Sequence, residues 1–237
     1  MTGLVPDSEY VYAAVHDGAE PELGTLRTAP RGRFPLRFTS FGDQSSPMLN
    51  VALGRYTSDC IGSPAAGDIT SAVERARPLF HLVNGDLSYA NLSSDRIRTW
   101  SNWWENNSRS ARHRPWMPAA GNHENELGNG PFGYAAYQTY FELPDSGAGS
   151  VMKGLWYAFT AGSVRVISLN NDDVCFQDGG NSYIRGYSDA AQKRWLTAEL
   201  ERTSADCDID WLVVCMHQTA VSTGADTNGA DLGIREE

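Results

Sequence analysis

The stretch Gly85-Asp86-Leu87-Ser88-Tyr89 follows directly on the apolar run Leu79-Phe80-His81-Leu82-Val83. The run has the pattern of a buried strand. Asp86 then stands at the strand's end with Tyr89 three residues later, so a carboxylate and a phenol share one loop tip. A carboxylate in that place can bridge two cations, and a phenolate is a hard oxygen donor suited to a trivalent one.

The same form recurs along the chain. Leu36–Phe41 runs into Gly42-Asp43, Arg114–Ala120 into Gly121-Asn122-His123-Glu124, and Trp211–Met216 into His217. Glycine before the polar residue lets the backbone turn sharply and approach closely at the first three junctions. Taken singly, a Gly-Asp after a strand is a turn, Tyr89 is a packed aromatic, and His217 is a histidine at a strand end. Together, Asp, Asn, His and Tyr make a mixed oxygen and nitrogen ligand set for hard to borderline cations.

Helices are expected between some of these strands. Ile69–Arg77 is ended by Pro78, a second covers Asp95–Asn106 with Trp100, Trp103 and Trp104 on one side, and a third covers Tyr134–Phe141. Residues 45–68, rich in Ser, Pro and Gly, are expected as loop. Trp156–Thr160 and Val164–Leu169 form a hairpin across Ala161-Gly162-Ser163. A helix over 190–202 takes Asp189 as its cap and Gln192 as partner in a capping box. Its inward face is expected at Ala191, Trp195, Ala198 and the stem of Arg202. Strands that each deliver a polar residue, with helices between, predict an α/β domain that gathers its site at strand ends.

Composition narrows the function. The formal net charge of −10 argues against a general nucleic-acid or anionic-membrane surface, though bound cations would still attract an anionic substrate. No apolar run approaches the ~18–20 residues of a membrane span, and the first residues lack a signal-peptide pattern. Cys60, Cys175, Cys207 and Cys215 contain no CxxC pair, which disfavours zinc-ribbon and thioredoxin readings; one, two or no disulfides are compatible with them. His16, His81 and His113 are taken as structural, the tryptophans as packing, and Glu124 as a residue that orients a neighbour or caps a turn.

Asp43, Gly85-Asp86-x-x-Tyr89, Gly121-Asn122-His123-Glu124 and Val214-x-x-His217 resemble, in order, four of the five metal-binding blocks of the purple acid phosphatases. These belong to the calcineurin-like metallophosphoesterases. The resemblance implies a layered α/β fold, a β-sandwich flanked by helices. It implies Asp43 and Tyr89 on Fe(III), Asp86 bridging, and Asn122 and His217 on a divalent Zn, Mn or Fe. His123 would face the phosphate as a catalytic residue. Most relatives carry Asp-x-His at the first block; here it is Asp43-Gln44-Ser45, and Tyr89 takes the place of the absent histidine.

The implied activity is hydrolysis of phosphate monoesters at acidic pH by a metal-bound hydroxide. The alternatives are a phosphodiesterase or nucleotidase on the same site, or a non-catalytic binding module. The implied partner is a small phosphate ester, with neither nucleic acid nor membrane insertion, and the implied location is outside the cell or in its envelope. Residues 1–30 resemble the last strands of a fibronectin type III-like module, with Tyr10 capping the corner. Residues 31–237 would then be the catalytic domain, and the chain is expected to be a fragment, truncated before residue 1. The fifth block, GHxH, does not occur, so that domain is expected to be incomplete at its C-terminus. Asn228–Ile234 also resembles bacterial members.

Overall fold

Short apolar runs between polar junctions fold here as strands, and the longer amphipathic segments as helices. The structure is a computed structural model that describes residues 3–44, 49–50, 55–56, 65–127, 130–175 and 186–221. Ser45, Cys60 and Asn228–Ile234 lie outside the described residues. In chain order the elements are β1 (Glu9–Ala14), β2 (Glu22–Arg27), β3 (Thr39–Phe41), β4 (Leu49–Asn50) and β5 (Arg55–Tyr56). Then come α1 (Ala65–Glu74), β6 (His81–Asn84), α2 (Arg96–Ala111), β7 (Trp116–Ala119) and α3 (Ala135–Tyr140). The last are β8 (Tyr157–Ala161), β9 (Val164–Ser168), α4 (Ala191–Ala205) and β10 (Trp211–Cys215).

Two three-stranded sheets make the centre. One is parallel, in the order β3-β6-β7; in the other, β9 pairs parallel with β10 and antiparallel with β8. Strand alternation assigns the faces. Leu82 joins Val164, Val166 and Cys215 in the cluster between the sheets, with Phe80 edge-on to Phe159 at 5.2 Å. Val83, its neighbour, joins the larger cluster of Trp100, Trp103, Tyr137 and Trp156. On the far side of the second sheet, Arg165 of β9 pairs with the buried Glu199 of α4. The result is a helix–sheet–sheet–helix arrangement.

β1 and β2 form an antiparallel hairpin set against the end of α2. The Tyr12 hydroxyl and the Thr25 N–H both donate to the Arg112 carbonyl, at 3.1 and 2.9 Å. The Tyr10 hydroxyl accepts from the Val5 N–H at 2.8 Å.

Several element boundaries differ from the sequence expectation, each for a physical reason. α1 begins at Ala65 rather than Ile69 because its first inward positions, Ala66 and Thr70, are small or polar. α2 runs to Ala111 rather than Asn106. Its second half buries Asn107 and Ser110, which give no hydrophobic signal but bond to Gln44 and Glu74. α4 has no side-chain cap: Asp189 and Ala190 both adopt left-handed backbone, and Gln192 instead bonds to the Asn170 N–H and C=O. Its buried residues are Gln192, Glu199 and Thr203, while Ala198 and Arg202 are exposed. β3 is shorter than 36–41. The Trp156–Leu169 hairpin forms as expected. Cys207 and Cys215 are free thiols.

His81 has the structural role expected of it. Its Nε2–H donates to Glu74 Oε1 at 2.8 Å, so Nδ1 accepts from the Thr39 hydroxyl at 2.5 Å. Burial lowers the imidazole below its ordinary 6.5, outweighing the nearby Glu74. Burial would raise Glu74, but hydrogen bonds from Ser110, Arg114 and His81 outweigh it and hold the carboxyl below 4.5. Below 6.5 the unfolded chain therefore takes up a proton that folded His81 refuses, and stability falls with pH. The Glu74 contribution, present above 4.5, is lost as pH falls through its lower folded value. In thermal melts the wild type is expected to lose stability relative to His81→Gln as pH falls from 7 to 5. The same pH dependence in both proteins would show that His81 does not contribute.

Candidate metal centre

Parallel strands end on one side of their sheet, and the junctions after β3, β6 and β7 lie together there. The backbone continues the pairing past the strands: Asp43 N–H donates to the Gly85 carbonyl and Gln44 N–H to that of Asp86, at 3.1 and 3.2 Å. β10, from the second sheet, brings His217 to the same place. Ligand atoms of Asp43, Asp86 and His217 lie within 4.8 Å of one another. The Tyr89 hydroxyl donates to Asp43 Oδ1 at 2.9 Å.

Close approach explains the glycines. Gly85 has φ +76°, and a Cβ there would lie 2.8 Å from Gly121 Cα and from His217 Cβ. A Cβ on Gly121 would lie 2.4 Å from Asp86 Oδ1. Three non-glycine residues also hold left-handed backbone: Asp43 at φ +49°, Asp86 at +54° and Tyr89 at +58°. Such conformations cost about 1–3 kcal/mol each and concentrate at functional sites.

Asp86 is at the middle of the contacts and only 4% exposed. Its Oδ2 faces His217 Nε2 at 3.2 Å and His123 Nε2 at 3.9 Å, while Oδ1 accepts from the His123 N–H at 3.1 Å. Burial would raise this carboxyl, but His217 and His123 outweigh it and hold it low. Burial would lower His217, but the Asp86 carboxylate outweighs it and pushes the imidazole up to about 9. His217 Nδ1 donates to the Asn84 carbonyl at 2.7 Å, which leaves Nε2 as the ligand atom. Burial, with Asp86 and Asp43 alongside, pushes the Tyr89 phenol far up.

His123 lies over the Tyr89 ring, with centroids 4.2 Å apart. Its Nδ1 is held by Asn91 Oδ1 at 2.9 Å. Asn122 is half-buried at the start of the short turn Asn122–Glu124, beside Gly121. The structure thus brings Asp43, Asp86, Tyr89, His123 and His217 together, with Asn122 on the same rim.

Two supporting residues, Asn91 and Gln44, were not singled out for the site by sequence reasoning, while a third, Glu124, has the orienting and capping role expected of it. Asn91 tethers His123. Gln44 ties the first junction to Thr70 and Asn107 at 2.8 and 2.7 Å. Glu124, 0% exposed, accepts three main-chain N–H bonds. For Asn91 and Gln44 the sequence carried no such signal, because their partners lie on other elements.

Acidic, phenolic and imidazole donors converging on one point are the donor chemistry of a hard to borderline metal. Mixed α/β layers with such a cluster at the strand ends are the arrangement of a domain that could hold a metal there. The calcineurin-like phosphoesterase family matches residues 57–232, and the chain belongs to that family.

Among its relatives, an uncharacterised protein of Mycobacterium tuberculosis is 72% identical over 238 residues, covering 100% of this chain and 45% of the relative. Purple acid phosphatase 18 of Arabidopsis thaliana is 28% identical over 217 residues, 90% of this chain and 41% of that one. The chain thus spans less than half the length of these relatives. Among solved structures, a purple acid phosphatase from yellow lupin (Lupinus luteus) seeds matches with a TM-score of 0.65 at 20% identity. That match covers 94% of this chain and 38% of the lupin chain, and it shows the fold.

Proposed function

We propose that this chain carries a binuclear metal site that hydrolyses phosphate monoesters at acidic pH. The observation that supports the reading best is the convergence of Asp43, Asp86, Tyr89 and His217 on one point at the strand ends. Asp43 and Tyr89 would hold Fe(III), Asn122 and His217 a divalent Zn, Mn or Fe, and Asp86 would be shared. When bound, such a pair of cations neutralises phosphate charge and lowers the pKa of water.

The chain's own residues set the rest. Tyr89 keeps its proton against two carboxylates unless a strongly charged cation replaces it, which favours a trivalent ion at that position. His217 is aimed by its Asn84 bond, so its ligand nitrogen is fixed before any metal arrives. His123, held at Nδ1 by Asn91, presents Nε2 beside Asp86, where it can bond to a phosphate oxygen or deliver a proton to the leaving group.

The same reading takes residues 1–30 as the end of a fibronectin type III-like module and 31–237 as the catalytic domain. The Tyr10–Val5 bond supports it, because a corner tyrosine in such sandwiches bonds to backbone a few residues upstream. Export to the cell envelope or beyond belongs to the same reading. Among the described residues no helix is long and apolar enough to cross a membrane.

Iron loading tests the proposal. In a C-terminally extended version about two metals per protein are expected, with a visible tyrosinate-to-iron absorption that disappears in Tyr89→Phe. Hydrolysis of an aryl monoester should exceed that of a diester. Colour that survives Tyr89→Phe, or a protein that takes up no iron, would remove Tyr89 from the site; metal uptake without turnover would favour a binding module.

A further inference from the structure

We propose that Glu124 is the positioning residue of this site: its carboxylate pins the Asp86 loop to the Asn122 loop and so sets the spacing of their side chains. The inference rests on the metal reading above. Glu124 Oε2 accepts from the N–H groups of Asp86 and Gly121 at 2.7 and 2.9 Å, and Oε1 accepts from the Leu87 N–H at 2.7 Å. One oxygen therefore serves both loops at once, and the side chain is fully buried.

These three N–H groups lie beyond the ends of β6 and β7, where the ladder no longer supplies carbonyls. Buried N–H groups need an acceptor, and in this structure Glu124 is theirs. Its bonds fall on the backbone that holds Asp86 at φ +54° and that packs Gly85 against Gly121. A left-handed aspartate persists only when its surroundings over-determine it. Glu124 touches no reacting group; it acts through Asp86, and through the turn that begins with Asn122.

Chemistry makes the role specific to a carboxylate. Three N–H donors fall on its two oxygens, so both oxygens must accept, whereas an amide has one acceptor and one donor group. A glutamine here can serve the shared position of Asp86 and Gly121 only by turning its NH2 onto the Leu87 N–H, donor against donor. An aspartate keeps the charge but falls one methylene short of both loops.

The test compares Glu124→Gln with Glu199→Gln, a control at another buried carboxylate, on α4 and outside the candidate centre. Mn²⁺ binding is measured by calorimetric titration beside the thermal melt. Glu124→Gln is expected to weaken Mn²⁺ affinity ~10–100-fold, the range typical of lost outer partners. Glu199→Gln should lose stability with its affinity unchanged. For saturating metal, the Glu124 variant should lose kcat with KM near wild type.

Wild-type affinity in Glu124→Gln, with only the melt lowered, would overturn the positioning role and leave the metal reading intact. No Mn²⁺ uptake by the wild type would overturn both. Glu124→Asp, expected to weaken binding in the same direction, replaces the glutamine variant if that does not fold. In the metal-free wild type, the amides of Asp86, Leu87 and Gly121 should exchange slowly with deuterium; free exchange would also overturn the proposal.

Discussion

Asp86→Asn is expected to abolish phosphate monoester turnover and to lower affinity for both metals by more than the ~10–100-fold that losing an outer partner costs. The large effect follows from position. Asp86 Oδ1 already accepts from the His123 N–H, and Oδ2 faces both His217 and His123. An amide replaces one of those acceptor oxygens with a donor and removes the negative charge the two cations would share. Turned one way, the amide places N–H against the His123 backbone N–H; turned the other, it donates to the His217 Nε2 lone pair that a metal would need. Metal content by elemental analysis and turnover of an aryl phosphate check the result. Retention of both metals in Asp86→Asn would show that Asp86 is not the bridge.

Trp103→Ala is expected to be the most destabilising single change in the core. The side chain is 1% exposed and lies edge-on to Trp100, Trp104, Trp116 and Phe141, with centroids 4.7 to 6.0 Å away. Truncating a buried tryptophan costs about 3–5 kcal/mol, against a total stability of about 5–15 kcal/mol for a domain. Trp103→Phe should cost much less. It keeps most of the ring packing, and the indole N–H that it removes has no hydrogen-bond partner among the described residues. Denaturant midpoints of the two variants measure the difference; equal losses would mean that the cluster needs the indole itself.

Much of the fold was legible because strand signals are local. The run before Gly85 and the hairpin across Gly162 are apolar segments bounded by turn residues, and both form where expected. Boundaries failed where buried faces are polar. Asn107 and Ser110 extend α2 through hydrogen bonds to partners distant in sequence, and Gln192 leaves its expected cap to bond to Asn170. A hydrophobic pattern cannot report a polar residue whose acceptor lies on another element.

The candidate site divides in the same way. The sequence by itself put forward the candidate donors Asp43, Asp86, Tyr89, Asn122 and His217, as polar residues that follow short apolar runs, four of them through a glycine-led loop. It also carried the family resemblance, through the order of those blocks. The tertiary structure alone decided that the strand ends meet. β3, β6 and β7 lie side by side and parallel, and β10 reaches their shared edge from the second sheet. It also decided the work of Glu124. Three N–H groups from two loops converge on one carboxylate only after those loops are packed together, and no spacing along the chain encodes that.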